Sequence, residues 1–104
     1  MINITSSEKE NIVVSGKSVF RDVIIKNELG LHARSAAQIA KLVQNSKAAV
    51  WIKRGDEKAD ASSIVDILTL ACEKGSTITI IIEDPADIDI LKAIAEMVES
   101  EFGE

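Results

Sequence analysis

The sequence is short of the residues that make staples, metal cages and membrane spans. It has one cysteine, Cys72, and one histidine, His32. A lone Cys72 has no partner for an internal disulfide, which fits a reducing compartment. One cysteine with one histidine cannot build a Cys/His zinc site, so no metal or other cofactor is expected. No run reaches the roughly 18 apolar residues of a membrane-spanning helix, so membrane insertion is not expected. The opening Met1-Ile2-Asn3-Ile4-Thr5-Ser6-Ser7 lacks the basic lead and apolar block of a secretion signal, and a cytoplasmic location is the expectation. Positive charge is also scarce: 12 Lys and Arg stand against 17 Asp and Glu, a net charge of −5. Nucleic acid as main partner would call for a basic face, so none is expected.

What is present suffices for one folded domain. The 104 residues are 46% hydrophobic and 28% charged, which is not the composition of a disordered tail. A chain of this length buries roughly two-thirds of its unfolded surface, whereas two domains would leave each half too small for a core. Residues 1–18 are polar around Thr5-Ser6-Ser7-Glu8-Lys9-Glu10 and carry one short apolar run, Ile12-Val13-Val14. They are expected to form a flexible leader, with residues 19–104 as the domain.

From Val19 the patterns sharpen. Residues 19–26 are rich in β-branched and aromatic side chains and predict a strand. Glu28-Leu29-Gly30-Leu31 is a loop, after which Ala36, Ile39, Ala40 and Val43 follow the helical i, i+3, i+4, i+7 spacing. Ala48, Val50 and Ile52 alternate as a second strand, and Gly55-Asp56 turns the chain into a short third one at 57–59. Ile64, Ile67, Leu68 and Ala71 predict a second helix that stops at Gly75. Ile78, Ile80 and Ile82 alternate with Thr77, Thr79 and Ile81 in a fourth strand. Asp84 and Pro85 open a last helix whose seam runs Ile88, Leu91, Ala95, Val98 and Phe102. The order is βαββαβα. Each helix has one apolar stripe, so the economical α+β packing is a two-layer open-faced sandwich, three helices on one face of a four-stranded sheet.

His32 stands at the mouth of the first helix, with Arg34 two residues on. A helix start exposes unpaired N–H groups and a partial positive charge, which makes an anion site. Arg34 adds a fork of donors suited to phosphate oxygens, and an imidazole can act as a nucleophile. His32, Arg34 and the amides at Ala33 to Ala36, those of Ala33, Arg34 and Ser35 above all, could thus take a phosphoryl group and hold its oxygens. A lone histidine at a helix start also serves as a cap or as packing, and spacing by itself leaves both readings open.

The segment Asn27-Glu28-Leu29-Gly30-Leu31-His32-Ala33-Arg34-Ser35-Ala36-Ala37 closely resembles the active-site segment of the histidine phosphocarrier protein HPr family, whose pattern is Gly, apolar, His, Ala or Thr, Arg, Pro, Ala. The likeness runs from about Val19 to Phe102, and Ser63-Ile64-Val65 falls at the family's distance from the histidine. The resemblance implies an antiparallel sheet and a stoichiometric phosphoryl carrier of the phosphotransferase system rather than an enzyme. His32 would be phosphorylated on Nδ1 by Enzyme I, which draws on phosphoenolpyruvate, and the group would pass to an enzyme II A-type component. Arg34 would be the electrostatic clamp. The face for both partners would combine Ala33, Ala37, Lys41, Ile64, Val65 and Leu68, and the chain would act as a monomer. For Ile64 and Leu68 core packing is the competing role, and for Lys41 simple solvation.

Ser35 stands where the family usually has proline; it is expected to loosen that turn, and its hydroxyl to donate to a phosphate oxygen. Ser63 matches the serine that some HPr proteins carry as a regulatory phosphorylation site. It also starts an S-x-x-D pattern in which it caps the helix, and Asp66, where those members commonly have glycine, would repel a phosphate there. Asn27-x-Leu29-Gly30, Lys74-Gly75 and the Glu-rich end resemble the nitrogen-regulatory NPr branch. The alternatives to a carrier are an HPr-like regulatory module that binds targets through the same face without passing phosphate on, and a small ligand-binding domain of like topology. Autonomous hydrolase activity is the least expected, because the sequence marks no second acid or base near His32.

Overall fold

The computed structural model describes residues 11–104 and the backbone of residues 2–4. Six strands form one antiparallel sheet: β1 (Ile2–Ile4), β2 (Ile12–Ser15), β3 (Ser18–Ile24), β4 (Val50–Arg54), β5 (Glu57–Asp60) and β6 (Thr77–Ile82). Their order across the sheet is β1-β2-β3-β6-β4-β5. Three helices, α1 (Ala33–Val43), α2 (Ile64–Thr69) and α3 (Ile88–Glu99), complete the fold. The α+β architecture of three helices against an open antiparallel sheet is thus the expected one.

Strand alternation decides which face is covered. Val19 and Val23 of β3, Val50 and Ile52 of β4, and Ile78, Ile80 and Ile82 of β6 are all buried. They meet Ala36, Ile39 and Val43 of α1, Ile67 of α2, and Leu91, Ile94, Ala95 and Val98 of α3 in one core. The register places Ile52 opposite Ile80 and Ile80 opposite Arg21, so each core row is continuous across the sheet. A face this regular specifies its register, because a one-residue slip would turn Ile52, Ile78, Ile80 and Ile82 away from the core.

Three departures from the expected chain course have local causes. The second helix, expected to run to Gly75, stops at Thr69, and Ala71, expected on its apolar stripe, is exposed at φ 49°. The four-stranded sheet gains β1 and β2, so part of the stretch expected as a leader belongs to the sheet. Ile12–Ser15 pairs with β3 through Val13 opposite Phe20 and Val14 opposite Val19. Its β-branched residues suit a strand, and Gly16, at φ 61°, makes the two-residue turn into β3. Residues 1 and 5–10 of that stretch lie outside the described residues. The last helix also differs: Asp84 caps a short 3₁₀ turn at Pro85–Asp87, accepting from Ala86 N–H at 2.9 Å, and the α-helix proper starts at Ile88. It stops at Glu99, so Phe102 reaches the core from a second 3₁₀ turn, Glu101–Gly103.

Asp87 ties this helix start to the far end of α1. Its buried carboxylate accepts N–H groups from Lys47 at 2.9 Å and Ala48 at 3.0 Å. The pin holds the connection from α1 to β4.

Candidate functional site

Everything at the site depends on how the loop before α1 is held. Gly30 adopts φ 66°, and a Cβ there would lie 2.2 Å from the Cys72 carbonyl oxygen. That same oxygen accepts the Leu31 N–H at 2.9 Å, fastening the loop to the segment after α2. Buried Asn27 donates from Nδ2 to the Gly30 carbonyl at 2.8 Å. Leu31 is buried beneath, so the next residue, His32, emerges as the N-cap of α1 in extended backbone.

The first helical hydrogen bond runs from Ala36 N–H to the His32 carbonyl at 2.8 Å. The amides of Ala33, Arg34 and Ser35 therefore precede the regular helical ladder and stand at the positive end of the helix dipole. The His32 side chain is 25% exposed and the Arg34 side chain 65%. The structure thus brings together His32, Arg34 and this helix start, with the imidazole open to a visiting molecule.

Ser35 does something other than expected. It is fully buried, and its hydroxyl accepts from the His32 N–H at 2.9 Å while facing the carbonyl oxygens of His32 at 3.1 Å and Gly30 at 3.3 Å. With its proton directed at backbone carbonyls, this hydroxyl is not available to a phosphate oxygen, and it ties the turn instead of loosening it. Proline would fix that turn through its ring; serine fixes it by hydrogen bonds.

Glu104 is the residue that sequence reasoning missed, and it corrects the expectation that no second acid or base stands near His32. Its Oε2 is hydrogen-bonded to His32 Nε2 and lies 3.4 Å from the Arg34 guanidinium, and its Oε1 accepts from Asn27 Nδ2 at 3.0 Å. The hydrogen bonds from His32 and Asn27 hold the Glu104 carboxyl below the usual glutamate range. Asn27 too was seen only as part of a motif. No local signal could reveal a contact that joins positions 32 and 104.

The residues named for a docking face divide as follows. Ile64, Val65 and Leu68 of α2 are exposed, Val65 at 74%. Ala33 and Lys41 are exposed and Ala37 is partly covered. Core packing, the competing role for Ile64 and Leu68, falls instead to Ile67. Leu29, 67% exposed on the His32 loop, adds an apolar residue that was not foreseen. Four of the five large exposed apolar residues of the described chain thus lie on that loop or on α2, whereas scattered single ones would mean little. Ser63 caps α2, its Oγ accepting from Asp66 N–H at 3.1 Å, and the Asp66 carboxylate accepts from Asp60 N–H at 2.7 Å. Among the described residues no three metal-ligating side chains cluster, and no helix is long and apolar enough to cross a membrane.

A small open-faced domain that presents one imidazole and one guanidinium at a helix N-terminus belongs to the class of α+β modules built to hold an anion beside a nucleophile. The comparisons narrow that class to a family. The profile of the phosphotransferase-system HPr component phosphorylation site matches residues 6–100. The phosphocarrier protein HPr of Cupriavidus necator is 36% identical over 84 residues, covering 81% of this chain and 94% of that protein. The phosphocarrier protein NPr of Shewanella violacea is 38% identical over 84 residues, 81% of this chain and 92% of its own length. The DhaM phosphoryl donor subunit of the phosphoenolpyruvate-dependent dihydroxyacetone kinase of Providencia stuartii is 28% identical over 104 residues, 99% of this chain but 22% of that protein. Among solved structures, HPr-C-His of Thermoanaerobacter tengcongensis superimposes with a TM-score of 0.74 at 30% identity, covering 82% of this chain and 96% of that one. The chain belongs to the HPr/NPr phosphocarrier family of the phosphotransferase system.

Proposed function

We propose that the protein is a stoichiometric phosphoryl carrier, not a catalyst. His32 takes a phosphoryl group from Enzyme I, which draws it from phosphoenolpyruvate, and yields it to an enzyme II A-type component in the cytoplasm. The observation that carries this reading is the placement of a partly exposed imidazole at the start of α1, with Arg34 beside it. A nucleophile so placed meets a phosphoryl group while helix amides and a guanidinium take up the charge on its oxygens, which is electrostatic stabilisation without a metal.

Arg34 and the amides of Ala33, Arg34 and Ser35 hold the phosphoryl oxygens. Donor and acceptor proteins dock in turn on Ala33, Ala37, Lys41, Ile64, Val65 and Leu68, joined by Leu29. The exposure of the α2 residues supports this face. Ser63 acts in this reading as a helix cap; the Asp66 carboxylate one turn on disfavours a regulatory phosphate.

The test is transfer onward. Protein phosphorylated by Enzyme I is isolated and mixed with candidate enzyme II A-type components of the sugar-uptake and nitrogen-regulatory kinds. Loss of label from this chain with gain on the acceptor is expected, and the acceptor that gains it fixes the branch. A chain that binds partners yet passes label to none of them is a regulatory module instead.

A further inference from the structure

The contact between the Glu104 carboxylate and Nε2 of His32 has a chemical meaning beyond orientation. A carboxylate only accepts hydrogen bonds, so a neutral imidazole facing it must carry its one proton on Nε2. The other nitrogen, Nδ1, is then left with a lone pair. Glu104 is also well placed to hold that state. Its second oxygen is fixed by Asn27, which is itself buried and tied to the Gly30 carbonyl. The backbone behind it turns through consecutive left-handed residues, Glu101 at φ 59° and Phe102 at φ 56°, before Gly103 at φ 73°. Such a path is costly for side-chain-bearing residues. It is held by Phe102, whose ring is buried in the core, and by the Glu104 N–H on the Glu101 carbonyl at 3.0 Å.

We propose that Glu104 is a positioning residue for phosphoryl transfer, whose carboxylate keeps a proton on Nε2 of His32 through the whole cycle. The proposal rests on the reading of His32 as the phosphoryl acceptor. In the accepting step the Nδ1 lone pair forms the N–P bond, and the donor's bond to phosphorus breaks with its electron pair leaving on the donor. The ring, still protonated on Nε2, is now a cation facing the carboxylate. In the donating step the N–P bond breaks, its electron pair returns to Nδ1, and the acceptor's lone pair takes the phosphorus. The ring departs as neutral imidazole with its Nε2 proton in place. Without the carboxylate the phosphorylated ring gives up that proton more readily and would have to leave as an anionic imidazolate, a far poorer leaving group.

Other charges near the ring do not supply this effect. Arg34, on α1, repels a cationic ring and shares the same carboxylate. Glu28, on the preceding loop, is paired with Lys74 from the segment after α2. Asn27 is neutral. The low position of the Glu104 carboxyl, caused first by its hydrogen bond with His32, keeps it ionised wherever the carrier would work.

Two measurements on the full chain test this. Nitrogen-15 NMR of the imidazole in the unmodified protein at alkaline pH is expected to show the Nε2–H tautomer; the Nδ1–H tautomer would overturn the proposal without any variant. The phosphorylated protein and its Glu104→Gln counterpart are then compared for spontaneous loss of the phosphoryl group against pH, followed by phosphorus NMR. The variant's lability curve is expected to move to lower pH by about one pH unit or more, the size of a neighbouring charge effect. Coincident curves would overturn the proposal while leaving the carrier reading intact. Failure of both proteins to take a phosphoryl group on His32 would overturn the two together.

Discussion

Gly30 and Cys72 approach so closely that the loop carrying His32 and the segment after α2 are built as one unit. The Cys72 carbonyl oxygen receives the Leu31 N–H, and the space a Gly30 side chain would need is already taken by that oxygen. Gly30→Ala therefore meets both a backbone clash and a left-handed conformation that costs alanine about 1–2 kcal/mol. We expect a loss of at least about 2 kcal/mol in urea unfolding, with slower phosphorylation of His32. Unchanged values for both would show that this junction does not set the loop.

Ser63→Ala separates a cap from a regulatory site. Removal of the Oγ that accepts from Asp66 N–H is expected to cost about 1 kcal/mol of stability. Phosphoryl acceptance on His32 should remain at the parent rate, because Ser63 does not touch that residue.

Ala71, exposed just beyond α2, adopts φ 49°. Glycine occupies that conformation without penalty. Ala71→Gly is expected to stabilise the protein by about 1 kcal/mol, seen as a rise of about 4–8 °C in Tm for a domain of this size. A fall in Tm would contradict the strain inferred there.

Asp87→Ala removes an acceptor for the backbone of Lys47 and Ala48 and leaves those donors with poorer partners. Charged hydrogen bonds of this kind are worth about 1.5–3 kcal/mol, and a loss in that range is expected in thermal and urea unfolding. Amide exchange should quicken first around residues 46–49.

Acid should loosen the tail before the core. The Glu104 carboxyl is depressed in the folded state, so its contribution is present above the ordinary glutamate range and is lost as pH falls through the lowered folded value. Asp60, depressed by its hydrogen bonds with Ser62, follows the same sign. Proton NMR of Phe102 is expected to move as pH is lowered through this region, and Glu104→Gln should remove the Glu104 part of that response.

Much of this architecture was legible because its causes are local. The alternation of Ile78, Ile80 and Ile82 marks β6 to the residue, and Asp84-Pro85 marks where the last helical segment begins. The His32–Arg34 pair at a helix start could be seen for the same reason: motif and helix are neighbours in sequence. The strand Ile12–Ser15 was harder, since three apolar residues in polar surroundings carry little pattern, although Gly16 between two β-branched runs is a hairpin signal. The Ser35 hydroxyl could be counted as a donor, but its direction is set by the Gly30 and His32 carbonyls, which only the folded loop brings near. Glu104 was least legible. Its place depends on the left-handed turn at Glu101 and Phe102, where neither residue type announces such a backbone.

The account stands on His32 as the phosphoryl acceptor. Intact-mass measurement after incubation with phosphoenolpyruvate and a matching Enzyme I tests this most directly. One added phosphoryl group is predicted, lost on mild acid treatment and absent from His32→Ala. A mass that stays unchanged with every Enzyme I tried, or a group that persists in His32→Ala, would contradict it.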